Sequence, residues 1–285
     1  MARELSELRH DIDAIDDQLH ELLRLRTKIV EEVRAYKHDQ RIKIRPAREA
    51  EIIYRLFAQH QSPFPKRELF RIWRELIVAT LRLEGAFSVG VYMDENDGGF
   101  WDLARDQYGS FTPMTPFPST RRIIEAVQKQ EVTVGILPMP ARKEDKPWWR
   151  RMVFEGQDTP RVIARLPFVP GGNARSASNE ALVICPVPQE ATGRDRTYLA
   201  LESNEKIAEA ALTKAFGAVD LPIAFTTDCL DPSRPQVWQT LVEVDGFASL
   251  DDPRINAIRD AFDGAITRVV SLGGYATPIS DAELE

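Results

Sequence analysis

From Leu5 to Lys37 the chain runs without a single Pro or Gly. Its apolar residues fall at Leu5, Leu8, Ile12, Ile15, Leu19, Leu22, Ile29, Val33 and Tyr36, mostly three or four apart, and Leu25 bridges the one wide gap. That spacing predicts one amphipathic helix. At 1.5 Å per residue it is about 50 Å long. A rod of that length cannot bury its stripe inside a compact domain of its own size. It needs a partner, and a second copy of itself is the simplest.

The 285 residues leave room for two or three domains. A net charge of −7 argues against non-specific nucleic-acid binding. Cys185 and Cys229 lie in apolar, strand-like runs with no ligand pattern, which reads as free thiols. His10, His20, His38 and His60 have no partner at metal-ligand spacing, so no metal site is expected. The charged start, MARELSELRHDID, has no apolar segment of the signal-peptide kind, and no run reaches membrane-span length. A cytoplasmic protein with no membrane contact is the expectation.

After the long helix, expected to end near His38–Gln40, Pro46 is placed to open a second helix with Glu49 in its first turn. Its apolar face is Ile52, Ile53, Leu56 and Phe57. A third helix is predicted from about Lys66 to Glu84, with Leu69, Ile72, Trp73, Leu76, Ile77, Thr80 and Leu81 in phase and Gly85 at its end. The pattern then changes to short strands alternating with helices: strand 88–93, helix 100–108, strand 111–115, helix 119–130 and strand 132–137. That alternation suggests a small α/β unit with parallel strands. Residues 138–178 are rich in Pro, Gly and Arg and read as loop apart from a strand at 162–168, and another strand is expected at 181–187. Strand 197–201, helix 205–216, strands 223–228 and 237–244, helix 253–262 and strand 266–272 then give a βαββαβ order, ferredoxin-like. The last dozen residues read as a tail.

The helical region lacks a Ser-His-Asp set, a glycine-rich phosphate loop and a nucleophilic Cys, but its cations are tellingly spaced. Arg26 and Lys37 are eleven residues apart, three turns plus about 20°, and so share a face. Arg9 is seventeen residues before Arg26, about 25 Å away along a straight helix and about 100° off that face. It cannot share a pocket with its own Arg26, but in an antiparallel pair of helices it reaches the partner's. Thr80 and Glu84 lie on one side of the third helix, four apart. Spacing alone suggests a cationic pocket for a small polyanion, against the plainer reading of solvated helix charges.

The residues Leu8-Arg9, Ile12-Asp13, Ile15-Asp16, Leu19, Leu22-Leu23, Arg26, Ile29, Val33 and Lys37, then Arg45-Pro46-Ala47-Arg48-Glu49 and Trp73-Arg74-Glu75-Leu76-Ile77, resemble the all-helical chorismate mutase domain over residues 4–86. The resemblance implies a domain at 1–86 that pairs along its first helix into an intertwined homodimer, with Arg9 donated to the partner's site. The implied substrate is chorismate and no cofactor is needed. Arg26 and the partner's Arg9 would bind the carboxylates, and Lys37 a carboxylate and the ether oxygen. Glu49 would accept from the ring hydroxyl, Arg48 would support the pocket, and Thr80 would hold a carboxylate where the family often has Ser. Arg45 stands on the substrate where some members have Asp, and Glu84 where some have Gln donating to the ether oxygen. A Glu donates only when protonated, so that role implies activity that falls as pH rises.

In this family the mutase domain is often fused to a prephenate dehydratase and an ACT regulatory domain, and the rest of the chain resembles a degenerate version of that pair. Residues 87–190 resemble the first dehydratase lobe through Phe111-Thr112-Pro113, Glu125-Ala126-Val127 and Gly135-Ile136-Leu137-Pro138. The glycine-rich first loop is replaced by Asp94–Phe100, the Glu-Asn-Ser by Pro140-Ala141-Arg142, and the Thr-Arg-Phe by Asn179-Glu180-Ala181. Residues 191–277 resemble the ACT domain through Asp231–Pro235, Asp251-Asp252-Pro253 and Leu272-Gly273-Gly274-Tyr275, with Ile207-Ala208 near where its Gly-Ala-Leu ligand motif belongs. Residues 278–285 are left as tail. The implied fold class is α+β and multidomain: a three-helix mutase domain, a small α/β region and a ferredoxin-like, ACT-like domain. The leading expectation is a chorismate mutase of phenylalanine and tyrosine biosynthesis with a non-catalytic C-terminal region. A bifunctional mutase–dehydratase, a non-enzymatic amino-acid-sensing regulator and an isochorismate–pyruvate lyase stay open, as does an amino-acid effector.

Overall fold

Three helices open the chain, as the periodicity predicts: α1 (Leu5–Tyr36), α2 (Pro46–Gln59) and α3 (Lys66–Glu84). The structure is a computed structural model that describes residues 3–36, 42–93, 98–154, 156, 158–171 and 179–285. The expected end of α1 near His38–Gln40 lies outside the described residues. No residue of α1 is buried, and Leu5, Ile12, Ile15, Leu19, Leu22 and Ile29 are each more than half exposed. Among the described residues α1 packs chiefly on α3, and α3 also meets α2.

The inner face of α3 is rotated from the one the apolar spacing suggests. Phe70, Arg74, Ile77, Val78 and Leu81 are its buried residues, while Ile72 is 46% exposed. On α2, Ala47, Ala50, Ile53 and Phe57 are buried, and Ile52 and Leu56 are only partly covered. Both helices turn these faces toward the rest of the chain. Ile44, Val78 and Leu81 join one apolar cluster with Val89, Val91, Leu103 and Val183, and Ile53, Phe57 and Phe70 join another with Phe168 and Ile279.

The remainder builds one nine-stranded sheet, in the order β2-β1-β3-β5-β4-β9-β6-β8-β7. Strands β1 (Val89–Tyr92), β2 (Met114–Phe117) and β3 (Val134–Pro138) are parallel, linked by helices α4 (Gly99–Tyr108) and α5 (Thr120–Gln128). Strands β4 (Arg161–Leu166) and β5 (Ala181–Cys185) continue the sheet antiparallel to each other. The second half follows as β6 (Asp195–Ser203), α6 (Glu209–Gly217), β7 (Ile223–Asp231), β8 (Arg234–Asp245), α7 (Pro253–Asp260) and β9 (Ile266–Ala276). The halves meet where β4 runs parallel to β9 at Val162 and Gly273. Gly273 has φ +90°, and a Cβ there would fall 2.3 Å from the Val162 carbonyl oxygen, so only glycine permits this approach. One apolar layer crosses the join, from Leu137 and Leu182 through Val162 to Tyr198, Val270 and Leu272.

Three expectations needed adjustment. β2 begins at Met114 because Gly109–Thr112 closes α4, with the Thr112 hydroxyl donating to the Tyr108 carbonyl and Phe111 left 81% exposed. The loop 138–178 contains a 3-10 turn, Trp148–Met152, whose Trp148, Trp149 and Met152 are core residues. The last residues form a short helix, α8 (Asp281–Leu284), with a Ser280/Glu283 capping box. It docks on the helical region: Lys66 donates to the Glu283 carbonyl at 2.6 Å, and Ile279 is buried. Among the described residues no helix is long and apolar enough to cross a membrane.

Candidate active site

The α1–α3 contact brings together two of the residues named from sequence. Arg26 Nη1 donates to Thr80 Oγ1 at 3.2 Å. Thr80 can accept because its own hydroxyl is turned back on its helix, toward the Leu76 and Ile77 carbonyls at 3.0 and 2.9 Å. Burial lowers the Arg26 pKa from its ordinary value, yet a guanidinium stays protonated. No carboxylate among the described residues pairs with it. A half-buried cation held by a hydroxyl, with no anion of its own, is arranged to receive one.

Glu84 lies one turn beyond Thr80 and lines a cavity of about 500 Å³ at the end of the α1–α3 pair. Its Oε2 is buried with no hydrogen-bond partner among the described residues. Arg34, Lys43 and Glu31 line the same cavity. Sequence reasoning missed Arg34 and Lys43, because neither repeats the spacing of Arg26 and Lys37. Lys37 itself lies outside the described residues, as do residues 94–97 of the acidic stretch.

Glu49 is engaged elsewhere. Its Oε2 is 2.7 Å from Arg74 Nη1, and Arg74, 3% exposed, also donates from Nε to the Gln107 carbonyl at 2.8 Å. This pair sits under the ring of Tyr108, whose phenol is pushed well above its ordinary value by burial first and then by the Glu49 carboxylate. Arg74 was visible in sequence only as part of a motif, and its signal is a charge in phase with the buried positions Phe70, Ile77 and Leu81. Arg48 is exposed and pairs with Glu51 on its own helix at 3.1 Å. Arg45 reaches Glu190 at 2.6 Å. Arg9 is exposed on α1, and no ion pair to it is formed among the described residues. One chain therefore groups Arg26 with Thr80 and, one turn on, Glu84, while Glu49, Arg45, Arg48 and Arg9 each face other surroundings. Among the described residues no group of three or more His, Cys, Asp or Glu is placed to hold a metal ion.

Residues 8–85, which hold all these positions, match the family described as chorismate mutase type II. The match thus takes in the three N-terminal helices, from α1 to the end of α3. The chain is also similar to the bifunctional chorismate mutase/prephenate dehydratase of Aquifex aeolicus (strain VF5), 29% identical over 141 residues. The match covers 48% of this chain and 39% of that protein, so the chain spans well under half the length of its relative. A match of 141 residues is longer than the 86-residue helical region, so it takes in part of the sheet as well. Two solved structures bear a loose likeness. A prephenate dehydratase from Arthrobacter aurescens in complex with L-Phe has TM-score 0.49 and 12% identity, covering 68% of this chain and 92% of that one. GqqA, described as a novel type of quorum quenching acylases, has TM-score 0.48 and 11% identity, covering 67% and 95%. Likeness this loose bears on neither substrate nor chemistry.

Proposed function

We propose that this chain is a chorismate mutase, rearranging chorismate to prephenate in phenylalanine and tyrosine biosynthesis, in the cytoplasm. The observation that carries the reading is Arg26: half-buried, held by Thr80, without a carboxylate partner among the described residues, inside a stretch that matches the mutase family. The rearrangement is unimolecular and needs no covalent catalyst. Negative charge grows on the ether oxygen as the C–O bond breaks, so a site accelerates it by holding the compact conformer and by aiming fixed donors at that oxygen. In this reading Arg26 and Thr80 hold one carboxylate, Lys37 binds a carboxylate and the ether oxygen, and protonated Glu84 donates to that oxygen. Glu49 accepts from the ring hydroxyl through the oxygen Arg74 leaves, with Arg45 and Arg48 at the rim.

The exposed stripe of α1 supports a homodimer in which the helices pair and Arg9 enters the partner's site. The domain limits we propose are 1–86 for the mutase, 87–190 for a dehydratase-like region and 191–277 for an ACT-like domain. The last is supported by its β6-α6-β7-β8-α7-β9 order and antiparallel β9-β6-β8-β7 arrangement, that of a ferredoxin-like unit.

Incubating the protein with chorismate and identifying the products tests the reading. Prephenate is expected; no turnover of chorismate, with pyruvate released in a parallel incubation with isochorismate, would instead assign the lyase. A second reading, a bifunctional mutase–dehydratase, is favoured by the activity of the relative and by a match that extends into the sheet. Against it, Glu180 stands where the dehydratase family has its motif arginine and is tied to Arg165 at 2.6 Å. Phenylpyruvate formed from prephenate would decide for it.

A further inference from the structure

Helix α2 carries Glu49, and much of what holds α2 comes from the far end of the chain. Among the described residues α2 packs chiefly on α3 and β9. Its inner residues Ala50, Ile53 and Phe57 share one apolar cluster with Phe168, Val169 and Ile279, all of them buried. Ile279 belongs to the segment 277–285, which leaves β9 and ends in α8. That segment is fastened to the sheet first. The Thr277 N–H donates to the Arg194 carbonyl at 2.7 Å, and the Ile279 N–H donates to the Phe168 carbonyl at 2.9 Å. Its other side holds the helices. Tyr54 of α2 donates its hydroxyl to the Thr277 carbonyl. The Arg194 guanidinium lies 4.3 Å from the centre of the Tyr54 ring and donates to both Glu283 carboxylate oxygens. Lys66 and Arg67, at the start of α3, reach the Glu283 carbonyl at 2.6 Å and the Asp281 carboxylate at 3.5 Å.

We propose that residues 277–285 are a positioning strap for the candidate mutase site: they fix α2 against the sheet and, through α2, fix Glu49. The effect on turnover rests on the mutase reading; the effect on α2 does not. Glu49 has two supports. Arg74 holds its carboxylate directly. Ile279 backs the turn of α2 that carries it, through the cluster that begins at Ala50, the next residue. No residue of α1 is buried, so the helical region has little core of its own with which to hold α2. The strap and the end of β4 supply that core instead. A carboxylate that must meet one substrate hydroxyl tolerates little drift, since a misplacement of about 1 Å costs on the order of 100-fold in rate. The half of the chain that contributes none of the candidate mutase residues thereby acts on the site without touching the substrate.

Ile279→Ala and Tyr54→Phe, made in the full chain, test this. Tyr54→Phe removes one hydroxyl and keeps the ring, so it carries the same readings if Ile279→Ala fails to fold by circular dichroism. Hydrogen exchange is read first and needs no substrate. The amides of α2 should exchange faster in both variants, while those of β1 to β3 keep their rates. Chorismate turnover is read second. Ile279→Ala should lower kcat/KM by about tenfold, and Tyr54→Phe by less. If the strap acts through Glu49, that fall should vanish in a Glu49→Gln background. A strap that merely supports the fold would lower both backgrounds by the same factor, and that result overturns the proposal. Unchanged exchange in α2 overturns it as well. A parent protein that turns over no chorismate sinks the mutase reading alone, and the exchange rates then decide whether the strap holds α2.

Discussion

Arg74 Nη1 and Glu49 Oε2 stand 2.7 Å apart at the junction of α2, α3 and α4, with 3% and 13% of their side chains exposed. Arg74 also takes the Gln107 carbonyl and lies 5.9 Å from the centre of the Tyr108 ring. The pair thus fixes the pitch of α2 against both the third helix and the sheet-bearing half.

Breaking a buried pair from one side strands the other charge. Arg74→Met should therefore destabilise the protein by about 3 kcal/mol or more, the usual penalty for an uncompensated buried ion. Arg48→Ala, which cuts an exposed pair within one helix, should stay within about 0.5 kcal/mol. Urea unfolding of the two variants measures both. Equal, small effects would mean that the Glu49 carboxylate is solvated and not held.

The contrast between these two arginines also marks how far sequence reaches. The spacing of Leu5 to Tyr36 is enough to place α1, and the alternation after Thr197 is enough to order β6 to β9. Both patterns are local, and each repeats several times. What sequence misses depends on contacts across the chain. Ile72 and Arg74 are near neighbours on α3, and which one turns inward is decided by Glu49 of α2 and the Gln107 carbonyl of α4, from other parts of the sequence. Trp148–Met152 is too short to show a period, and α8 is held by Lys66 and Arg194 from far along the chain. In the candidate site, Arg26 and Thr80 are both named through the family resemblance, but neither their contact nor the occupation of Glu49 by Arg74 follows from spacing, because no spacing rule links one helix to another.

If Arg9 serves the partner's site, Arg9→Ala and Arg26→Ala should each cut chorismate turnover by about 100-fold or more while leaving the dimer assembled. Unfolded and refolded together, they should form mixed dimers with one intact site, roughly a quarter of all sites by statistical pairing. Recovered turnover approaching that fraction is the expected result. Mixed dimers that recover nothing would place Arg9 outside the site. Ile15→Glu, a charge in the exposed stripe of α1, should lower the mass seen in sedimentation to that of one chain.

The C-terminal helix should respond to acid. Arg194 holds Glu283 in a two-point contact, at 2.7 and 3.1 Å, and with the Ser280 donors brings its carboxyl down to about 2 from an ordinary 4.5. A depressed carboxyl stabilises the fold above its unfolded value, so this contribution is complete above pH 4.5 and fades as pH falls toward 2. Both side chains are more than a third exposed, and screening by solvent limits the effect to about 1 kcal/mol or less. Glu283→Gln should lower the Tm slightly at neutral pH and flatten its fall over that acid range. An unchanged acid profile would mean that the contact contributes nothing in solution.

Glu84 gives the sharpest test of the proposed chemistry. Its Oε2 is buried with no hydrogen-bond partner among the described residues, and it lies one turn from the Thr80 that holds Arg26. As a donor to the ether oxygen it works only in the protonated form. Turnover at low chorismate should then fall as pH rises. A glutamine amide donates at any pH. Glu84→Gln should therefore flatten the profile and overtake the parent protein on its alkaline side. If the parent's profile is already flat, Glu84 is not the donor, and the ether oxygen must be served by Lys37 and the two arginines alone.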